Sequence, residues 1–229
     1  MRTLAGATAL ADITLQATAN FVAGSDEEMG PATLAALGNQ QSRVALSLTD
    51  GQSTEIRSGP AGEWTGPDGV VHPMALHNCW SDAAWFYPGL SLQALNTDPG
   101  LGLAYVGLEA KNGVAVIHLR LFRAVPSTSA GINATILALS TEDLYLDPTS
   151  FLPLFLDFNV HPDTDLTTCI PVEIVFSAYQ KMSGITVPAH LQEFLNGSLL
   201  LDLWVGSAAI NSGLPASEFA VTTSTGGAQ

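Results

Sequence analysis

The chain has 229 residues, of which 47% are apolar and only 12% charged, and it carries a formal net charge of −14. Nucleic-acid binding needs a basic footprint and is excluded for a chain whose lysines are Lys111 and Lys181 alone, and an anionic membrane surface repels the chain as a whole. No run reaches the roughly 18 apolar residues of a membrane-spanning helix, and a chain this long buries about 70% of its unfolded surface without a disulfide or metal.

Residues 12–23 (DITLQATANFVA) alternate, with Ile13, Leu15, Ala17, Ala19 and Phe21 on one face and polar side chains on the other. That period of two predicts a half-buried strand. Ser25 to Gly30 reads as a polar turn, and 31–37 and 42–49 as the next strands. Asp50-Gly51, Asp68-Gly69, Asn112-Gly113 and Asn196-Gly197 each separate strand-like runs. Such pairs supply the positive φ of tight hairpin turns, so they predict an antiparallel meander. Further strands are expected at 53–58, 62–66, 69–73, 90–95, 103–110, 114–122, 143–147, 152–160, 170–180, 185–195 and 198–210.

Three short helices are expected. The first is 81–87, with Ser81 as N-cap and Pro88 as its stop. The second is 130–141, where Ile132, Ile136, Leu137 and Leu139 recur at helical spacing; it is apolar enough to plug a curled sheet. The third is one turn at 215–218 that begins on Pro215. Residues 1–11 read as a short N-terminal helix or the remnant of a leader, and 222–229 as a flexible tail. No linker or repeat divides the chain, so 1–229 is one domain. The fold class is mainly β: an antiparallel curled sheet, or unclosed half-barrel, with a few short helices over its concave face.

Little in the sequence points to chemistry. Cys79 and Cys169 read as two buried thiols before they read as a disulfide, and no zinc-ligand spacing occurs. His118 falls on the strand face of Val116 and Arg120. His161-Pro162-Asp163-Thr164-Asp165 offers metal-capable atoms but reads as a solvated loop. The acidic turn Ser25–Glu28 lacks a calcium-loop pattern. No nucleophile elbow, phosphate loop or dinucleotide fingerprint appears, so neither catalysis nor a cofactor is expected, and a hydrolase whose two carboxylates lie far apart in the chain stays open only as the third reading. The aromatic group Trp80, Trp85, Phe86 and Tyr87 has two readings. One is core packing; the other is a cavity rim that meets an apolar ligand together with Ile132, Ile136 and Leu139.

Residues 143–160 (DLYLDPTSFLPLFLDFNV) give a strand, an Asp-Pro turn and another strand. After them come Phe176-x-x-Tyr179, Gly184-x-x-x-Pro188, a hairpin, and a last strand that runs into Leu214-Pro215-x-x-x-Phe219. This order, over about 80 residues, resembles the LolA-like group of exported bacterial proteins, and GPDGVVHPMALHN (66–78) reads similarly. The resemblance implies an unclosed β half-barrel with helices over its mouth, an apolar cavity that takes acyl chains in the carriers, and a periplasmic or secreted location. In the carriers a strand arginine holds the lid; Arg43 and Arg57 are the strand arginines here. The expected partner is therefore a lipid, acyl chain or other apolar ligand. The alternative is an envelope protein, or a second copy of the chain, docked on the sheet surface or edge.

Overall fold

Alternating sequence and tight turns build nearly the whole chain into strands. The computed structural model describes Leu4 and residues 9–125 and 129–222. The strands are β1 (Asp12–Ala23), β2 (Asp26–Leu37), β3 (Gln41–Leu48), β4 (Gly51–Ser58), β5 (Ala61–Thr65), β6 (Val71–Pro73), β7 (Leu101–Lys111) and β8 (Val114–Arg123). They continue as β9 (Glu142–Leu146), β10 (Pro153–Val160), β11 (Ile170–Ser177), β12 (Gln180–Met182), β13 (Ile185–Val187), β14 (His190–Leu195) and β15 (Ser198–Ile210). Thirteen of them form one sheet in the order β6-β5-β4-β3-β2-β1-β15-β14-β11-β10-β9-β8-β7, while β12 and β13 pair separately. Every pairing is antiparallel, and the sheet is not closed into a barrel.

The alternation in β1 is realised as expected. Ile13, Leu15 and Ala19 are fully buried, and Ala17 and Phe21 pack against the same core. Asn112 (φ 52°) with Gly113 (φ 79°), and Asn196 (φ 50°) with Gly197 (φ 79°), make the two expected left-handed hairpin turns. At Asp50-Gly51 the turn sits one residue earlier, because Leu48 pairs with Gly51.

Several expectations are corrected. The acidic stretch 26–30 is strand rather than turn, because Gly24-Ser25 alone joins Ala23 to its partner Asp26. Residues 90–95 form not a strand but helix α1 (Gly89–Ala94), and 81–87 is not a helix. Pro88 is the N-cap of α1 rather than the stop of an earlier helix. The expected strands 170–180 and 185–195 are each divided, the first where Ala178 turns left-handed (φ 53°) and the second where Pro188 interrupts the ladder.

Helix α2 (Ala130–Leu139) forms where expected but does not plug the sheet. Only Ile136 in it is buried, and Ile132 is 55% exposed. Ser129 caps it, accepting from the Ile132 N–H. The concave face is instead filled by 83–95, with Ala84, Trp85, Phe86, Tyr87 and Leu90 in the main core. The 215–218 turn is a 3-10 turn at Ala216–Phe219, with Phe219 fully buried. Cys79 is buried but Cys169 is exposed, and both are free thiols. Most of 1–11 and of 222–229 lies outside the described residues. Thr222, expected in the frayed tail, donates its N–H and hydroxyl to Glu63.

The N-terminal and C-terminal strands meet in the middle of the sheet, where β1 pairs with β15. Asp12 fixes this junction by accepting from the Ser212 N–H and hydroxyl (2.8 and 2.9 Å) and the Gly213 N–H (2.9 Å). Burial opposes its ionisation, but these bonds hold its carboxyl below the usual range.

Candidate functional site

The strand register decides which side chains enter the concavity. One row across the sheet runs Leu15, Leu34, Val44, Glu55, Trp64 and His72. A second runs Glu28, Phe21, Leu201, Glu193, Ile174, Leu156 and Leu144. Both rows are otherwise mostly core-facing, so the parity of the pleat turns Glu55 and Glu193 inward. Curling of the sheet then brings β4 and β14 to the walls of one cavity, although four strands separate them in the sheet.

That cavity is about 430 Å³. Phe21, Val44, Leu46, Leu48, Leu200 and Leu201 supply its apolar wall, and Trp64, Trp85, Glu28, Glu55 and Glu193 complete it. A second cavity of about 220 Å³ shares Glu55, Trp64, Trp85 and Glu193 with the first and continues past Arg57 to His161 and Asp163. Burial disfavours both inward carboxylates. Glu55 is raised, its neighbour Arg57 opposing the shift. Glu193 is pushed up to about 7, by burial first and by the charge of Glu55 second.

Arg57 follows Glu55 by two residues and so shares its face, but it is only 4% exposed. Its guanidinium donates to the carbonyl oxygens of Asn78 (2.9 Å), Ser81 (2.8 Å) and Asp82 (3.3 Å). Those residues begin the segment that covers the concave face. The cover is tied at four further points. Glu142 accepts from the Asp82 N–H, and Asp82 accepts from the Ser91 hydroxyl and the Ala84 N–H. Asn78 exchanges two hydrogen bonds with the backbone of His161 (2.7 and 2.8 Å), Gln93 two with the backbone of Leu10 (2.7 and 2.9 Å), and Tyr87 donates to the Thr186 carbonyl (3.3 Å). Beneath the cover lies a buried acid pair. Burial raises Asp82, and burial together with Asp82 pushes Glu142 up to about 8.

The expected rim residues do not gather in one place. Trp85 lines both connected cavities. Trp80 is half-buried beside a smaller hollow near Asn39 and Arg123. Phe86 and Tyr87 are fully buried in the core. Ile132, Ile136 and Leu139 lie on α2 and do not line either cavity. Sequence reasoning missed Glu55 and Glu193 as site residues and named Arg57 only as one of two strand arginines. Their signal is a charged residue at an inward strand position.

Other polar groupings serve the sheet. His118 bonds Asp143 (2.8 Å) and Glu109 (2.9 Å), on the Val116 face as expected. Lys111 bridges Asp157 and Glu173 (2.5 and 2.7 Å). Those acids and Asp143 line a wider groove of about 750 Å³, where their charges are already compensated. Ser177, His190 and Asp202 form a hydrogen-bonded chain (3.1 and 2.5 Å). It lies across the pleat from Leu191 and away from the cavities, with the His190 ring stacked on Trp204. His161 is not solvated: it is buried, and its Nδ1 meets the Thr168 carbonyl (3.0 Å). Among the described residues no three His, Cys, Asp or Glu side chains are grouped to hold a metal ion.

No family model and no curated protein matches this sequence. Solved structures do match it. One is a domain assigned to outer membrane lipoprotein sorting from Vibrio parahaemolyticus, with 11% identity, a TM-score of 0.54, and 91% of this chain and 88% of that one covered. A second is a DUF1329 family protein from Desulfovibrio piger, with 11% identity, a TM-score of 0.55 and coverage of 92% and 90%. A third is a LolA superfamily protein from Nitrosomonas europaea, with 11% identity, a TM-score of 0.55 and coverage of 93% and 92%. Over nearly its whole length the chain has the LolA-like fold.

Proposed function

We propose that this protein is a non-catalytic binding protein of the bacterial periplasm or extracellular space that holds a lipid, an acyl chain or another apolar ligand under its curled sheet. The observation that carries the reading is the apolar cavity of about 430 Å³, which continues beneath an arginine-held cover. Its volume falls within the range of small-molecule sites, and about half of its lining residues are aliphatic or aromatic, the polar ones being Glu28, Glu55, Glu193, Ser53, Thr54 and Thr65. The lipoprotein-sorting assignment of one structural neighbour is consistent with such a ligand.

Native mass spectrometry of protein purified without detergent, followed by organic extraction, tests this. A bound mass that extracts as lipid is the expected result, together with its loss when Leu46→Trp fills the cavity. A wild-type protein that carries no extractable mass and takes up no apolar probe overturns the reading.

One observation favours a second reading, that of an interaction domain. Edge strand β7 exposes Leu103, Tyr105, Val106 and Leu108, the last at 70%. An apolar edge of this kind suits strand addition by an envelope partner or by a second copy. A discrete oligomer with an empty cavity would select it.

A further inference from the structure

We propose that the apolar ligand of this cavity carries a cationic head, an amine or quaternary ammonium, seated between the carboxylates of Glu55 and Glu193 and beside the indoles of Trp64 and Trp85. The proposal rests on the reading of the cavity as a ligand site and names the ligand's chemistry.

Four observations support it. Strand parity points both glutamates into the same apolar space from strands that are far apart in the sheet. Neither carboxylate has a hydrogen bond or salt bridge among the described residues, whereas Glu28, on the same wall, already accepts from the Asp50 N–H. The nearest cation, Arg57, directs its guanidinium to the Asn78, Ser81 and Asp82 carbonyls, and the lining of the larger cavity contains no Lys, Arg or His among the described residues. Two indoles line the same space, Trp85 buried and Trp64 half-exposed with one face stacked on His72, and aromatic rings attract ammonium groups.

The energetics agree. Burial in a largely apolar space is the main reason both acids resist ionisation, and the charge of Glu55 adds to it at Glu193. A ligand ammonium offsets that cost and gives the pair an ionised, compensated state. A head that is itself anionic meets the same carboxylates and a chain with net charge −14. The aliphatic wall then takes the chain attached to the head.

The test compares amphiphiles of one chain length on the full chain, each below its micellar concentration, by isothermal titration calorimetry. Dodecyltrimethylammonium is expected to bind about tenfold or more tighter than dodecyl maltoside, with dodecyl sulfate the weakest. The Glu55→Gln/Glu193→Gln double variant should lose the ammonium preference yet bind the maltoside within about twofold of wild type. Asp26→Asn/Glu27→Gln, which removes the same formal charge from exposed positions, should keep the preference. Equal binding of ammonium and maltoside to the wild type, or a preference that survives in the double variant, overturns the cationic head but leaves the cavity reading intact. Failure of all three amphiphiles to bind overturns both.

Discussion

Replacing Arg57 with Met probes how the cover is held. Methionine keeps much of the stem volume but donates nothing. Three main-chain carbonyls, those of Asn78, Ser81 and Asp82, lose a charged donor in a site where Arg57 is 4% exposed. Each such bond contributes about 1.5–3 kcal/mol. Because the three share one side chain and the cover can partly relax, the expected loss is about 3–5 kcal/mol rather than their sum. In a domain of this size that lowers Tm by roughly 6–20 °C. Urea denaturation followed by tryptophan fluorescence measures the loss, and amide exchange locates it. Faster exchange should concentrate in 76–95 and leave β10 and β11 protected. Arg57→Lys should recover part of the stability, since an ammonium donates but lacks the fork. A loss below about 1 kcal/mol with unchanged exchange across 76–95 would refute the role given to Arg57.

Glu142 predicts a pH dependence. In the native state it keeps its proton to about pH 8, whereas an unfolded chain releases it near 4.5, so the native state binds more protons between those values. Stability therefore falls as pH rises through this window. Glu142→Gln, which retains an acceptor for the Asp82 N–H, should flatten the fall by up to about 4 kcal/mol between pH 5 and 8.5 in urea titrations; an unchanged slope would count against the buried acid pair. At Gly30 a Cβ would lie 1.9 Å from the Ser47 carbonyl oxygen. Gly30→Ala must push β2 from β3 and should cost about 1–3 kcal/mol in thermal melts, whereas Gly131→Ala, in open space on α2, should be neutral or slightly stabilising.

Much of the fold was legible because it is written locally. The five inward residues of β1, the Asn-Gly turns and the Leu-Pro-x-x-x-Phe ending each act within a dozen residues. The cover was misread for a physical reason. In Gly89–Ala94, Leu90 and Leu92 flank Ser91, which imitates strand alternation, and six residues are too few to show a helical period. Its polar residues are structural ties: Ser91 bonds Asp82 within the same segment, and Gln93 grips Leu10 across 83 positions. The candidate site was hidden for a related reason. The pleat turns Glu55 and Glu193 inward, but their meeting depends on the curvature of four intervening strands, which no local pattern records. Of the aromatic run Trp85, Phe86 and Tyr87, only Trp85 reaches the cavities.

The pairing of the first strand with the last has a consequence in time. While the chain is being synthesised, β1 can form its hairpin with β2, but its other edge stays open until residues 201–210 exist. The junction at Asp12 waits still longer, for Ser212 and Gly213. Contacts of such long sequence separation slow folding, since loop closure precedes any reward from pairing. The sheet is thus completed only when nearly the whole polypeptide is available, and a nascent or truncated chain exposes at its centre the strand edge that the finished protein seals.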